Sequence, residues 1–149
     1  MLKRFPKTNG FINRILFSNN MDEENDVAVV LTILSDDGSR KQGKIPHRRC
    51  RVPIKGKPHQ DNEIDVGPDG IFLKHISIAR AQGYLSHVPG KSYVTYVDTS
   101  SLGAMKDGEL IGETHGSRRT KLRMGDTLTM GKRDDEHLDM YKISFEFNQ

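Results

Sequence analysis

Cysteine is nearly absent: Cys50 is the only one in 149 residues. A single thiol forms no internal disulfide and supplies no C-x-x-C metal spacing. This fits a reducing compartment and leaves Cys50 as a small half-buried side chain. Long apolar runs are missing too. No stretch of 18 apolar residues occurs, so no membrane-spanning helix is expected. Met1 to Phe17 also lacks the unbroken apolar segment and small-residue cleavage site of a signal peptide. Catalytic signatures are equally scarce: there is no G-x-S-x-G, H-E-x-x-H, Walker or dinucleotide pattern. The acidic groups Asp22-Glu23-Glu24, Asp36-Asp37 and Asp134-Asp135-Glu136 fall in turns or tails. The six histidines never pair at i, i+4 on a predicted helix. No enzymatic activity, metal centre or cofactor is therefore expected.

What is present suits one domain, since a chain of this length buries about 70% of its unfolded surface and folds without staples. Apolar residues make up 34% and charged residues 29%, polar for a globular protein yet far from a disordered composition. The formal charge of +3 is unevenly placed. Arg48, Arg49, Arg51, Lys55 and Lys57 form one cluster, and Arg118, Arg119, Lys121 and Arg123 a second. Such clusters attract phosphate or sit in solvated loops. Specific nucleic-acid binding is not expected. It needs aromatics interleaved with the cations, or a helix for the major groove, and neither is evident along the chain.

Residues 1–26 read as an N-terminal extension. Phe11, Ile12, Ile15 and Leu16 recur at helical spacing, but Pro6, Asn9-Gly10 and Ser18-Asn19-Asn20 punctuate them. From residue 27 to residue 149 the pattern is that of strands. VAVVLTIL from Val27 to Leu34 is a β-branched run ended by Ser35-Asp36-Asp37-Gly38. A basic connection follows, then Arg51 to Ile54, where Pro53 marks an edge or a strand end. Further strands are expected at Ile71 to Leu73, Ala81 to His87, Tyr93 to Val97, Glu109 to Gly112 and Thr127 to Met130, with a polar loop over Thr114 to Thr120. The last strand alternates cleanly, with Tyr141, Ile143, Phe145 and Phe147 on its core side. Many short strands and no confident helix predict an all-β, two-sheet antiparallel sandwich.

Two polar loops organise this pattern, Ser77-Ile78-Ala79-Arg80-Ala81 and Asp98-Thr99-Ser100-Ser101-Leu102-Gly103, followed by the turn Asp107-Gly108. Together with Leu122-Arg123-Met124-Gly125-Asp126-Thr127-Leu128-Thr129-Met130-Gly131, they resemble the motifs of forkhead-associated (FHA) domains over roughly Val27 to Phe147. A looser similarity is to the N-terminal FHA domains of DNA-damage checkpoint mediators. The resemblance implies a sandwich whose loop end captures a phosphothreonine peptide through cationic and hydroxyl donors.

Residue by residue, the implied site is uneven. Ser77 and Ser101 match phosphate-contacting positions. Lys57, in Gly56-Lys57, stands for the usual Arg and keeps its charge without the bidentate fork. Arg80 replaces the structural His, and Ile78 and Leu102 are apolar where polar side chains are usual. Asp98, Gly103, Gly108, Gly125 and Asp126 are structural turn positions in the family's places. Ile78 and Leu102 are expected side by side as an apolar patch at the loop end. The resemblance thus implies a non-enzymatic protein-interaction module with phosphothreonine binding weakened or lost. It also implies homodimerisation, within a nuclear DNA-damage or chromosome-maintenance scaffold of which this is the N-terminal part. The alternative is a working phosphothreonine reader in which Lys57, Ser77, Arg80 and Ser101 hold the phosphate.

Overall fold

The chain was described as a computed structural model over residues 26–112 and 117–148, so the apolar segment at Phe11 to Leu16 lies outside the described residues. Twelve strands are formed among the described residues. They are β1 (Val27–Ser35), β2 (Arg40–Pro46), β3 (Cys50–Gly56), β4 (Ile64–Gly67), β5 (Gly70–Leu73) and β6 (Gly83–His87), then β7 (Val94–Asp98), β8 (Ala104–Lys106), β9 (Glu109–Ile111), β10 (Arg119–Leu122), β11 (Thr127–Met130) and β12 (Tyr141–Phe147). They form two six-stranded sheets, β2-β1-β12-β11-β8-β9 and β10-β7-β6-β3-β5-β4.

Alternation decides which side chains meet between the sheets. Val29, Leu31 and Ile33 of β1 are fully buried, as are Leu128 and Met130 of β11 and Ile143 of β12. The opposing sheet contributes Val52 and Ile54 of β3, Leu85 of β6, Tyr96 of β7, and Ile71 and Leu73 of β5. Burying each such Leu, Ile or Val contributes about 1.5–3 kcal/mol. The register of β1 on β12 runs from Val29 opposite Phe147 to Ser35 opposite Tyr141, so the aromatic side of β12 necessarily faces inward.

Three expectations need correcting. The basic stretch after β1 is a strand, β2, paired to β1 through Arg40 to Pro46; apart from Gly43, Ile45 and Pro46 its side chains are not buried, so it carries little apolar signal. The end of the expected polar loop is likewise a strand, β10, whose only buried residue is Leu122. One strand pair is parallel, β3 with β5. Pro53 lies inside β3, but the pairing with β5 begins only at Ile54, so its missing N–H falls where that side of β3 is still unpaired.

Between β8 and β9, Asp107 (φ 48°) and Gly108 (φ 88°) both adopt left-handed backbone, the two-residue turn that matches strand twist. Asp107 Oδ1 accepts the Thr127 N–H (3.1 Å), and Asp126 Oδ2 accepts the Arg123 N–H (2.8 Å), so the two turns near Gly108 and Gly125 brace one another. At the opposite end the pairing gathers the termini of both sheets. Gly56 is level with Leu73, Gly83 with Asp98, and Met130 with Tyr141.

Candidate functional site

That second end carries the loops singled out from the sequence, and three sets of hydrogen bonds fix them. The first is backbone. Gly56 N–H donates to Ala79 O (2.9 Å), Lys57 N–H to Leu73 O (3.0 Å) and Thr99 N–H to Gln82 O (3.0 Å), which puts the end of β3, the Ser77 loop and the Asp98–Gly103 loop side by side. A Cβ built on Gly56 would lie 2.1 Å from Ile78 O, so only glycine permits this approach.

The second set centres on Gln82, which is 1% exposed. Its Oε1 accepts the Ala79 N–H (3.0 Å), and its Nε2 donates to Asp98 Oδ1 (3.3 Å), Ser100 Oγ (3.1 Å) and Gly103 O (3.1 Å). Asp98 also accepts from the Tyr96 hydroxyl (2.8 Å) and the Ser100 hydroxyl, and Ser100 Oγ accepts the Gly103 N–H (2.9 Å). Burial pushes the Asp98 carboxyl above the usual carboxylate range, with the Tyr96 and Ser100 hydrogen bonds pulling the other way. The Tyr96 phenol is driven upward by burial and by the Asp98 carboxylate beside it. The bracing role expected near Arg80 therefore belongs to Gln82, two residues further on, and Arg80 is exposed. Ser100, rather than Ser101, is the buried serine of its loop.

The third set ties the Ser77 loop to the other sheet. Ser77 N–H donates to His75 Nδ1 (3.0 Å), so that nitrogen is an acceptor and the Ser77 hydroxyl, 2.7 Å away, donates to it as well. Ser77 Oγ in turn accepts the Lys132 N–H (2.7 Å), from the loop between β11 and β12. Tyr141 of β12 donates to Lys74 O (2.8 Å), just upstream.

The candidate residues end in different circumstances. Lys57 is exposed with Nζ 4.1 Å from the Phe72 ring centroid. Ser101 is exposed and Leu102 half-buried. Ile78 is 3% exposed and belongs to the core, packed against Gly131, so the expected Ile78–Leu102 surface patch does not form. Gln82 and Ser100 were missed in the sequence, although a Gln directly before the Gly83 to His87 strand and a Ser two residues after Asp98 are signals for a polar brace. Among the described residues no group of three or more His, Cys, Asp or Glu side chains is placed to hold a metal.

No known family model matches the sequence, and no curated protein matches it. Among solved structures, the fold is similar to that in "Structure of the yeast Pml1 splicing factor and its integration into the RES complex", with a TM-score of 0.56, 21% identity and 97% of each chain covered. A second similar structure is the FHA1 domain of yeast Rad53, with a TM-score of 0.49, 13% identity, and 81% of this chain and 78% of that one covered. The chain is an all-β sandwich with its motif loops gathered at one end, and its fold is similar to that of the yeast Pml1 splicing factor.

Proposed function

We propose that this is a non-enzymatic protein-interaction module of FHA type whose phosphothreonine site is weakened. The observation that carries the reading is the Ser77 hydroxyl, which is already satisfied by His75 and by the Lys132 N–H. Turning that hydroxyl to a phosphate breaks a neutral hydrogen bond of about 1 kcal/mol to make the new one. Lys57 in place of Arg loses one charge-assisted bond of about 1.5–3 kcal/mol, and Leu102 in place of Asn loses about 1 kcal/mol of backbone contact. The total of roughly 3.5–5 kcal/mol lowers affinity about a thousandfold, from micromolar toward millimolar.

The test is binding to an oriented phosphothreonine peptide library, with Ser77→Ala and dephosphorylated peptides as controls. Affinities near millimolar, little changed by Ser77→Ala, are expected. Micromolar binding that requires both the phosphate and Ser77 would refute the reading and make this a working reader.

Self-association is the second part of the proposal. One sheet ends on β9, a three-residue strand with Leu110 43% exposed and, among the described residues, no strand paired to its outer side, an edge that a second copy can extend. Sedimentation equilibrium at micromolar concentration is expected to show twice the monomer mass, and a strict monomer would remove this part. A nuclear scaffold role is supported by the motif resemblance to checkpoint mediators and by the similarity to a splicing factor that integrates into a complex. Localisation of the tagged full-length protein tests it.

A further inference from the structure

The two basic clusters, remote in sequence, meet on the outer face of the sheet β10-β7-β6-β3-β5-β4. Register brings them together. Lys121 stands opposite Thr95, Thr95 opposite Ser86, and Ser86 opposite Arg51. One row along, Arg119 is level with Val97, Val97 with Tyr84 and Tyr84 with Pro53, and two residues further along β3 Lys55 pairs with Phe72 on the next strand. Directly paired residues share a face and alternate residues of a strand return to it, so Arg51, Lys55, Arg119 and Lys121 point outward on one surface, away from the core.

Aromatic rings stand between them. Arg51 lies 4.1 Å from the Tyr84 centroid, Lys57 lies 4.1 Å and Lys55 5.9 Å from that of Phe72, and Lys121 lies 4.8 Å and Arg123 5.8 Å from that of Tyr93. All three rings are half-buried, their remaining surface open to solvent. Asp65, on the edge strand β4, is the only carboxylate that these six strands present outward. Among the described residues no carboxylate is ion-paired to Lys55, Lys57, Arg119, Lys121 or Arg123.

We infer that this face binds single-stranded nucleic acid, with Tyr84, Phe72 and Tyr93 as stacking platforms and Lys55, Lys121 and Arg123 on the phosphates. A single strand supplies partners for both, an anion at every nucleotide for the cations and an unpaired base with an open π-face for the rings. The rings hold their cations only weakly at an exposed site, so a base that stacks on the ring releases the cation to a phosphate. From β10 to β5 the platform spans four strand spacings, roughly 19 Å. Its strands are continuously paired, whereas duplex would offer it phosphates but no base to stack. An acidic peptide would satisfy the cations and leave the rings without partners. This surface is distinct from the loop end; Lys57 alone belongs to both.

The experiment is fluorescence anisotropy of the whole chain with labelled oligouridylate and oligothymidylate on the order of 12 nucleotides, and with a duplex of equal length. It is run at about 50 and 200 mM salt. Either single strand is expected to bind more tightly than duplex. Tyr84→Ala should weaken binding about five- to one-hundredfold, while Tyr84→Phe retains it. Lys55→Ala with Lys121→Ala should reduce the slope of log K against log salt by about 1.4, as for two released phosphates. Arg40→Ala with Lys41→Ala, removing two exposed charges from β2 of the other sheet, should change the slope less. The proposal is overturned by no binding at the lower salt, or by equal binding of duplex and single strand with no effect of Tyr84→Ala. Stronger competition by polyglutamate than by single strand also overturns it, and would assign the face to an acidic protein.

Discussion

Replacing Gln82 by Leu keeps the volume of the side chain and removes every polar contact that it makes. The Ala79 N–H and the Gly103 carbonyl lose a partner, and Asp98 and Ser100 each lose a donor, at a site 1% exposed where water does not substitute freely. A neutral hydrogen bond contributes about 1 kcal/mol net and one to a charged group about 1.5–3 kcal/mol. Because Nε2 shares two protons among three acceptors and the contacts form one network, the losses do not simply add, and the expected cost is roughly 3–5 kcal/mol. At about 2–4 °C per kcal/mol for a chain of this size, Tm falls by roughly 6–20 °C. Urea unfolding followed by far-UV circular dichroism measures it. Gln82→Glu should cost at least as much as Gln82→Leu, since it sets a second carboxylate against Asp98. A loss of under about 1 kcal/mol for Gln82→Leu would refute the reasoning. The backbone bonds from Gly56 and Thr99 would then be holding the loops without the side chain.

Gly56→Ala forces a methyl to within 2.1 Å of Ile78 O and is expected to cost about 3 kcal/mol or more in the same urea assay; an unchanged midpoint would show that the Ser77 loop moves aside freely. Burial depresses the His87 pKa below its usual 6.5. The unfolded chain therefore takes up more protons than the folded one as pH falls through 6.5, and this contribution to stability is intact above that pH and lost below it. His87→Gln should flatten the decline in urea midpoint between neutral pH and about pH 5.5, and an identical decline in the variant would exclude His87 as its source. Burial pushes the Cys50 thiol up to about 11, so it should react with a disulfide reagent only after unfolding, and prompt reaction in the folded protein would contradict its burial.

The strands that pack on both faces or alternate strictly were legible from residue pattern. β11 and β12 begin and end where the periodicity says, because Leu128, Met130, Tyr141, Ile143, Phe145 and Phe147 carry an unbroken inward stripe. β2 and β10 were not, since edge strands bury one side chain in several and are held by ladder bonds, which every residue but proline can make. The loop end was legible as a place but not in its parts. Ser77, Asp98 and Gly103 stand in the loops expected of them, while the brace moved from Arg80 to Gln82 and Ile78 turned inward. A two-residue displacement within a loop leaves composition unchanged and decides which side chain is buried. The cation–aromatic face was invisible for another reason. Its members are interleaved across strands rather than along them, so no stretch of sequence shows an aromatic beside the cations it meets.

The loop end also shows what replaces a ligand. A site that captures phosphate holds donors whose bonds are completed only on binding, and those donors are exposed to water in the free state, where leaving them open costs little. Here the Ser77 hydroxyl and the Lys132 N–H complete one another, Gln82 satisfies Ala79, Asp98, Ser100 and Gly103, and Ile78 fills the space beside Gly131. Each of these bonds rigidifies the loops in the absence of a peptide. The same groups cannot then favour a phosphate by their full strength, because each must first give up an internal partner. On the proposed function, loops completed internally in this way exchange affinity at the sandwich end for a scaffold that needs no ligand to be ordered, and the contacts proposed at the β9 edge and across the basic sheet face are the ones left to carry recognition.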